Sequence, residues 1–408
     1  MKTRSAEADL NLQSWVSNSE EFMRAMACGE KAEQKTHPLG DSGEEKVLGV
    51  FWDTRTDTLV FKVAEKSYTE LTRMELVSRV AGVFDPLGTA SPIIVKAKIR
   101  LRELGKKGLK WTDVVEGEDR RWWDQWFETD VLQLNDVKMP RCLFPDSANI
   151  VSSELHTFCD ASEEAYAAVV YVRSVYGDGR VVVRQVKAAN KLAPKKTISV
   201  PRLELNAALL GARVARAVQE ALPAHVKRRR FWTDSSTVRN WIRAAAADYQ
   251  TFVSNRVGEI QTITEEEEWR FVPGLLNPAD AATRSTLDGV NFPAVWLTGP
   301  EFLMLTEKDW PTDLPWLLVK DESRTSRTLL ASVPESPVVW TDVKIAPDDI
   351  AALCKMDGRY LELVKSCQTE TFEEEIRRIW RGKNLPSSSN ILALAPIVDS
   401  GGILRLGG

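Results

Sequence analysis

The sequence predicts an α/β protein whose centre is a mixed five-stranded sheet with helices on its faces, preceded by an α+β region. The main observation is the order of segments in the middle third, βββαβααβα, which places the strands in one mixed sheet. The length of 408 residues is too great for one core, so we expect two to four units. A composition of 43% hydrophobic and 27% charged residues is that of a globular protein. It excludes a wholly disordered chain and a collagen-like one.

The region before the sheet is predicted to begin with a helix over residues 10–28, capped by Ser17 or Ser19. A polar loop follows, and then a hairpin over residues 46–63 that turns at residues 54–57. Further helices are predicted over residues 72–83 and 93–104. Trp122, Trp123 and Trp126 mark another helix, and we interpret this cluster as core.

The five predicted strands are residues 155–159, 166–172, 180–186, 230–233 and 269–272. A long helix is predicted from Pro201 to Leu222, because proline is suited to a first helical turn. Shorter helices are predicted over residues 235–247 and 251–263. The last third is punctuated by proline and tryptophan and has a helical stretch near residues 361–380.

Several classes of protein are excluded by what the sequence lacks. No run approaches the roughly 18 apolar residues of a membrane helix, and the start leads into an acidic segment and not into a secretory signal. The five cysteines, an odd number without a C-x-x-C motif, indicate a reducing compartment. They argue against a disulfide framework and a structural zinc site. We therefore expect an intracellular protein without a membrane partner.

The charge of the chain is distributed unevenly. The total is only -4, yet residues 173–243 hold sixteen Lys and Arg against four Asp and Glu, a local balance of +12. Such a stretch is the electrostatic footprint of a nucleic-acid site, because each phosphate contact releases counterions. The alternative is an Arg-rich surface that is simply solvated.

Four acidic residues fall where a mixed sheet presents side chains to one edge: Asp160, Glu204, Asp234 and Asp280. Asp160 and Asp234 end predicted strands, Glu204 lies in the first turn of the long helix, and Asp280 opens a final helix. Each has a simpler alternative. Asp234 could cap a helix, Asp280 could complement a helix dipole, Glu204 could be solvated, and Asp160 could cap a turn.

A metal site is the interpretation that accounts for all four acids together. A buried carboxylate without a partner is costly, so each needs a cation or a donor. Mg²⁺ prefers such hard oxygen ligands and keeps bound water. Two ions about 4 Å apart would hold both the attacking and the leaving oxygen of a phosphodiester.

The segments that carry these acids resemble a known family. The segments FCDAS, SVPRLELNAALLGARV, FWTDSSTVRNWI, FVSNRVGEIQ and WRFVPGLLNPADAATRS are similar to the ribonuclease H region of BEL/Pao LTR retrotransposon Pol proteins. This region is grouped under the name Pao retrotransposon peptidase. Upstream, KVLGVFWDTRTDTLVFKV and RVAGVFDPLGTASP resemble the end and connection of the reverse transcriptase, and the C-terminal ILALAPIVDSGGILRLGG resembles the segment before the integrase.

The resemblance implies a division of the chain. Residues 1–45 would be the thumb-like end of the reverse transcriptase with a linker, residues 46–150 a connection-like region, residues 151–290 a ribonuclease H-like domain, and residues 291–408 a linker leading to the integrase. The reverse transcriptase palm and integrase would be partner segments. The location would be the cytoplasm, in a virus-like particle, and the nucleus.

The resemblance also implies an activity, the hydrolysis of RNA in RNA·DNA hybrids with two Mg²⁺ or Mn²⁺ ions. Asp160, Glu204, Asp234 and Asp280 match the four metal-binding carboxylates of that family. The residues expected near the nucleic-acid backbone are Lys195, Lys196, Arg202, Arg239, Asn255 and Arg256. The pair Asn255-Arg256 matches a family motif to which no role can be assigned from the sequence.

The sequence departs from the family pattern at one loop, and alternatives stay open. Residues 272–276 contain no histidine, whereas many ribonucleases H have one in the loop before the last aspartate, so turnover is expected to be slower. No polymerase centre is found, since the pair Asp348-Asp349 lacks the preceding aromatic residue. A non-catalytic nucleic-acid-binding module is the main alternative, and it applies if the four carboxylates do not converge on a Mg²⁺ coordination shell.

The family name also raises the hypothesis of an aspartic peptidase. Asp-Ser-Gly occurs at residues 41–43 and 399–401. Two such loops must face each other and share a proton between their carboxylates. The first has no apolar strand before it and the second is close to the end of the sequence, so this alternative is the weakest.

Overall fold

The structure is a computed structural model of the chain. It describes residues 17–19, 21, 22, 24, 44–47, 50–64, 70–222, 226–284, 292–314, 365, 368, 372–381, 389, 396–398 and 404–406. The chain divides into two compact units, Met1–Ser332 and Val333–Gly408. Most of the helix predicted over residues 10–28 lies outside the described residues.

A small antiparallel sheet begins the first unit. Its four strands, in the order β1-β2-β3-β4, are β1 (Glu44–Val47), β2 (Val50–Asp53), β3 (Thr58–Val60) and β4 (Lys138–Pro140). Strands β2 and β3 pair antiparallel around the turn at residues 54–57, which confirms the predicted hairpin. The fourth strand comes from far along the chain and was not predicted.

Three helices lie between β3 and β4: α1 (Arg73–Gly82), α2 (Ser91–Lys106) and α3 (Gly117–Gln125). The start of α1 is fixed by a capping box, in which Thr72 accepts from the backbone of Glu75 and the Glu75 side chain accepts from the backbone of Thr72. Trp123 and Trp126 are buried in the core that these helices share, so the interpretation of the tryptophan cluster as core is confirmed.

The predicted five-stranded mixed sheet is present. Its strands are β5 (Ile150–Ala161), β6 (Ala165–Tyr176), β7 (Val181–Leu192), β8 (Arg228–Thr233) and β9 (Trp269–Phe271). The spatial order is β7-β6-β5-β8-β9, with β5, β6 and β7 antiparallel and β8 and β9 parallel to β5. The α/β class is therefore confirmed. The first three strands are longer than predicted because pairing continues past their apolar centres.

Three helices cover one face of this sheet: α4 (Val200–Ala221), α5 (Ser236–Arg243) and α6 (Thr251–Ile263). Helix α4 buries a nearly continuous apolar face, including Leu205, Ala208 and Val218, against β5 and β6. Gly211 allows this contact, since a Cβ there would lie 2.3 Å from the Cys159 sulfur. Helix α5 ends four residues earlier than predicted, and residues Ala246–Asp248 form a 3₁₀ turn instead.

The opposite face is covered by residues 293–310, which contain the short helix α7 (Ala294–Thr298). Trp296, Phe302, Leu303 and Trp310 pack there against Phe158, Tyr171 and Trp232 of the sheet. The Arg173 Nε donates to the Leu303 carbonyl at 2.6 Å, which fixes this segment in place. These residues lie beyond the boundary predicted at residue 290, although they complete the core of the sheet.

The edge strand β7 is held by the region predicted to be connection-like. The backbone N–H of Ala188 donates to the Leu87 carbonyl at 2.7 Å. From α2, Lys98 Nζ donates to Asn190 Oδ1 at 2.9 Å and Arg102 Nη1 donates to the Ala193 carbonyl at 3.1 Å. The predicted division at residue 150 thus crosses a tightly bonded interface. The domain boundaries themselves stay predictions.

The second unit is described only in part. Residues 372–380 are helical, and β10 (Pro396–Val398) pairs antiparallel with β11 (Leu404–Leu406). Both Asp-Ser-Gly sequences and the Asp348-Asp349 pair lie outside the described residues. In the part of the chain that is described, no helix is long and apolar enough to cross a membrane.

Candidate active site

Two candidate ligands lie side by side because their strands are neighbours. Strands β5 and β8 are parallel and in register, with Cys159 opposite Thr233, so the following residues, Asp160 and Asp234, reach the same edge of the sheet. Asp160 is only 4% exposed. Asp234 is not a helix cap, since Ser235 takes that position in α5 and accepts from the Val238 N–H.

Glu204 reaches the same edge from the first turns of α4. Its neighbours Leu203 and Leu205 are buried in the core, and Glu204 itself is half-buried. Burial raises the pKa of the Glu204 carboxyl, a hydrogen bond from Ser235 lowers it, and the nearby Asp160 charge raises it. A freely solvated side chain would show no such influence, so the alternative of a solvated glutamate does not hold.

Asp280 lies in a 3₁₀ turn, Pro278–Ala282, and not at the start of an α-helix as predicted. Asn277 caps this turn, its side chain accepting from the Ala279 N–H, and its Nδ2 donates to the Cys159 carbonyl at 3.0 Å. Thr283 Oγ1 donates to Asp160 Oδ2 at 2.6 Å. The turn is therefore bonded to the end of β5, and this brings Asp280 beside the other carboxylates.

The carboxylates influence one another electrostatically. Burial, and then the Asp234 charge, raise the pKa of Asp160 to about 7 against the Thr283 hydrogen bond that lowers it. Burial also raises the pKa of Asp234 to about 6, and the charges of Glu204 and Asp280 act in the same direction. The Asp280 charge acts on both Asp160 and Asp234, and the Asp160 charge acts on Glu204, so the four predicted carboxylates lie near the same edge of the sheet.

The fit of this cluster to divalent metal is partial. All donors are carboxylate oxygens, the type that Mg²⁺ prefers, and the buried Asp234 Oδ1 has no hydrogen-bond partner in the part of the chain that the structure describes. Among the described residues, however, no group of three or more His, Cys, Asp or Glu side chains is arranged so that it could hold a metal ion. The four side chains are gathered at one edge, but they do not form a finished coordination shell.

A cation of the chain itself stands beside the cluster. The Arg284 Nη2 lies 2.8 Å from Asp280 Oδ1, in an i,i+4 pair whose side chains are 55% and 42% exposed. The Arg284 charge also lowers the pKa of Asp160, so it acts on two of the four carboxylates. The Arg284 guanidinium thus offsets part of the negative charge of the cluster.

The loop before Asp280 approaches Asp234 closely. A Cβ at Gly274 would lie 3.2 Å from Asp234 Oδ2, so the backbone of the loop itself covers this carboxylate. Residues 272–276 contain no histidine, and the Leu275 side chain among them is fully exposed. The loop therefore places backbone and an apolar side chain at the rim of the site, and no proton carrier.

The residues predicted to lie near a nucleic-acid backbone do not form one group. Lys195, Lys196 and Asn255 are exposed, whereas Arg202 and Arg256 are half-buried between α4 and α6. The prediction that Arg239 lies near a nucleic-acid backbone is wrong. Its side chain is 1% exposed and pairs with Asp313, so it lies inside the domain, where no phosphate can reach it.

The strongly basic stretch is largely neutralised by acids from elsewhere in the chain. Eight of its eleven arginines, residues 173, 180, 213, 216, 229, 230, 239 and 243, pair with a carboxylate. Most of these partners, such as Glu154, Glu259, Glu268 and Glu307, lie outside residues 173–243. The local balance of +12 therefore overstates the positive charge of this surface.

Several side chains that build the site are not acidic and were not predicted. Asn277 and Thr283 hold the Asp280 turn to β5, and Ser162 Oγ donates to the Thr283 carbonyl at 2.6 Å. One signal was available for Asn277, because asparagine before proline is typical of a capped turn. Nothing in the sequence pairs Thr283 with Asp160, which is 123 residues away.

Residues 72–235 match the family described as Pao retrotransposon-like RNaseH-like domain, a range that includes Asp160, Glu204 and Asp234 and ends before Asp280. None of the curated proteins matches this chain.

Several solved structures are similar to part of it. The N-terminal RNase H domain of a Mycobacterium tuberculosis protein, solved as a fusion with maltose-binding protein, is 11% identical with a TM-score of 0.23, and the match covers 32% of this chain and 94% of that one. RNase H1 of the archaeon Halobacterium salinarum is 15% identical with a TM-score of 0.20, covering 34% and 99%. LC11-RNase H1, isolated from compost, is 14% identical with a TM-score of 0.20, covering 32% and 91%.

Proposed function

We propose that this chain, whose residues 72–235 are a Pao retrotransposon-like RNase H-like region, hydrolyses the RNA strand of RNA·DNA hybrids with the help of divalent metal ions. The observation that carries the proposal is the meeting of Asp160, Glu204, Asp234 and Asp280 from two strands, a helix and a turn at one edge of the sheet. Such an arrangement of acids has a large electrostatic cost unless a cation offsets it.

The four carboxylates would hold the metal, with Asp160 and Asp234 fixed by the sheet and Asp280 by its bonded turn. Two bound Mg²⁺ ions would supply the charge that stabilises the attacking and leaving oxygens of a phosphodiester. Thr283 keeps one Asp160 oxygen engaged, which restricts that side chain to one orientation. Because the loop over residues 272–276 has no histidine, proton transfer to the leaving group would fall to solvent.

Substrate would be held by its backbone and not by its bases. The exposed Lys195 and Lys196 lie in the loop between β7 and α4, the helix that carries Glu204. Contacts from lysines to phosphates position a duplex without reading its sequence. A hybrid would then be recognised by its helical shape and its 2′-hydroxyl groups.

The direct test is cleavage of a labelled RNA·DNA hybrid in Mg²⁺ by the protein and by Asp234→Asn. We expect cleavage of the RNA strand by the wild type and a loss of at least about a hundredfold in the variant, because a metal ligand is removed. Asp178→Asn, in the exposed turn after β6, is the matched control and should cleave normally. Equal cleavage by wild type and Asp234→Asn would contradict the proposal.

A second function, a nucleic-acid-binding module without catalysis, is favoured by one observation. No three candidate ligands among the described residues are arranged as a metal site. This alternative predicts salt-dependent hybrid binding by Lys195 and Lys196 without cleavage. Isothermal titration with Mn²⁺ separates the two functions. The enzyme must bind the metal ion, and Asp160→Asn and Asp234→Asn should abolish that binding, whereas the binding module requires no metal.

The proposed partners are the RNA·DNA hybrid and the other segments of a retrotransposon Pol protein, the reverse transcriptase palm and the integrase. The proposed location is the cytoplasm, within a virus-like particle, and the nucleus. Both proposals are supported by the family match of residues 72–235.

A further inference from the structure

The Asn255-Arg256 pair, which the sequence could not explain, lies on α6, the helix that packs beside α4. The two side chains are used differently. Asn255 is exposed, whereas Arg256 is half-buried and turned towards α4. The sequence expectation of a shared role at the nucleic-acid backbone therefore does not fit both residues.

Arg256 is bound on three sides within the protein. Its Nε donates to Asn206 Oδ1 of α4 at 2.6 Å, and its Nη1 donates to the Phe252 carbonyl at 3.0 Å. Its guanidinium also stacks on the Phe252 ring, 3.5 Å from the ring centroid. This fork of donors and flat stacking surface are properties of arginine that lysine does not share.

The residues that Arg256 organises on α4 flank Glu204. Arg202 lies over the same Phe252 ring, with its guanidinium carbon 5.0 Å from the centroid. Arg202 and Asn206 are four residues apart and so share one face of the helix, whereas Glu204 projects from the other side. Holding the Arg202 and Asn206 face against α6 therefore turns Glu204 towards Asp160 and Asp234.

We infer that Arg256 is a positioning residue that sets the rotation of the first turns of α4, and through it the direction of Glu204, and does not contact substrate. The inference deepens the proposed function and rests on it where Glu204 is taken as a metal ligand. Groups that orient a metal ligand from behind affect metal affinity although they never contact the ion.

Arg256→Lys tests this inference, because it keeps the positive charge and removes the fork and the stacking. Arg213→Lys is the matched control. Arg213 also joins α4 to α6, through two hydrogen bonds of 2.6 and 2.7 Å to Glu259, but it lies more than two helical turns beyond Glu204. Hydrogen exchange of the α4 amides in metal-free protein, and the Mn²⁺ affinity by calorimetry, are measured for both variants.

We expect Arg256→Lys to exchange the amides of residues 203–207 faster and to bind Mn²⁺ about tenfold more weakly, as found for other groups that orient metal ligands. Arg213→Lys should leave the exchange of the amides of residues 203–207 and the Mn²⁺ affinity unchanged. Unchanged exchange in Arg256→Lys overturns the inference. Faster exchange with unaltered Mn²⁺ affinity also overturns it, since the role would then be structural only.

A third readout separates positioning from a direct phosphate contact. Arg256→Met should leave the salt dependence of hybrid binding as in the wild type, whereas loss of a phosphate contact would reduce the slope of log K against log salt by about one unit. If the wild type itself binds no Mn²⁺, the proposed enzyme function fails. The positioning of α4 is then decided by the hydrogen exchange alone.

Discussion

The Asp160 carboxyl has a strongly raised pKa, and this makes the stability of the folded protein depend on pH. Its pKa in the folded protein is raised from 3.8 to about 7 by burial and by Asp234, so the folded state holds the proton more tightly than the unfolded chain. The stabilisation is fully present below about pH 3.8 and is lost as the pH rises through 7.

We therefore expect the contribution of Asp160 to the free energy of unfolding of the metal-free protein to fall between pH 4 and pH 7. Asp160→Asn should flatten this fall and unfold at higher denaturant concentration than the wild type at pH 8. Urea denaturation at a series of pH values in EDTA measures both. A wild-type profile that Asp160→Asn reproduces would show that another group is responsible.

Arg284 is predicted to compete with metal for the carboxylates. Its guanidinium is 2.8 Å from Asp280 Oδ1, so a divalent ion must approach against a positive charge that is already present. Arg284→Gln should raise the Mn²⁺ affinity several-fold and raise the pKa of Asp160 further. Calorimetric titration at low salt measures the affinity. Arg180→Gln, an exposed arginine in the turn after β6, is the control and should change neither.

At the scale of elements, the site depends on how closely α4 approaches β5. Helix α4 brings Glu204 to the edge at which β5 presents Asp160. Gly211 allows the close approach of α4 to β5, because a Cβ at this position would meet the Cys159 sulfur at 2.3 Å. The thiol of Cys159 is fully buried, and its pKa is raised by burial and by the Asp160 and Asp234 charges. It therefore acts as a packing group and not as a nucleophile.

Gly211→Ala should destabilise the protein by about 2 kcal/mol, because an added methyl in a packed core forces α4 and β5 apart. The matched control is Gly258→Ala in α6, where a Cβ would lie 3.7 Å from the Ala246 Cβ, an ordinary contact. That change should stabilise by about 0.5–1 kcal/mol, since alanine favours a helix interior. Urea unfolding compares them, and adding Cys159→Ala should recover part of the loss in Gly211→Ala.

At the scale of the whole first unit, the sheet is completed by residues that the sequence assigned to a linker. Trp296, Phe302, Leu303 and Trp310 bury one face of the sheet, and Asp313 accepts from Arg239, Arg243 and the Phe271 N–H. A chain that stops at residue 290 would leave Phe158, Tyr171 and Trp232 without this cover.

We predict that a chain ending at residue 290 exposes an apolar face, binds a hydrophobic dye and unfolds without cooperativity, whereas one ending at residue 314 unfolds cooperatively. The reason is the loss of several large buried side chains, each contributing roughly 1.5–3 kcal/mol. Dye fluorescence and thermal unfolding test it. Two shortened chains with equal melting temperatures would support the boundary predicted at residue 290.

The sequence by itself determined the local features of this protein. Short runs of residues that favour β-structure located all five strands of the sheet, and Pro201, which is suited to a first helical turn, marked the start of the helix that is observed as Val200–Ala221. The positions of Asp160 and Asp234 at the ends of two predicted strands led to the prediction that they reach one edge of the sheet, and the parallel pairing of β5 with β8 is what places them there.

Only the tertiary structure decided which charges are neutralised and which segments share a core. Arg239 was expected at a nucleic acid and is buried on Asp313, and eight arginines of the basic stretch have carboxylate partners, most of them distant in sequence. Asp280 depends on Thr283 and Asn277, whose bonds to β5 span more than a hundred residues. The physical reason is that preferences for strand, helix and turn belong to neighbouring residues, whereas ion pairing and burial depend on contacts that form only when distant segments pack.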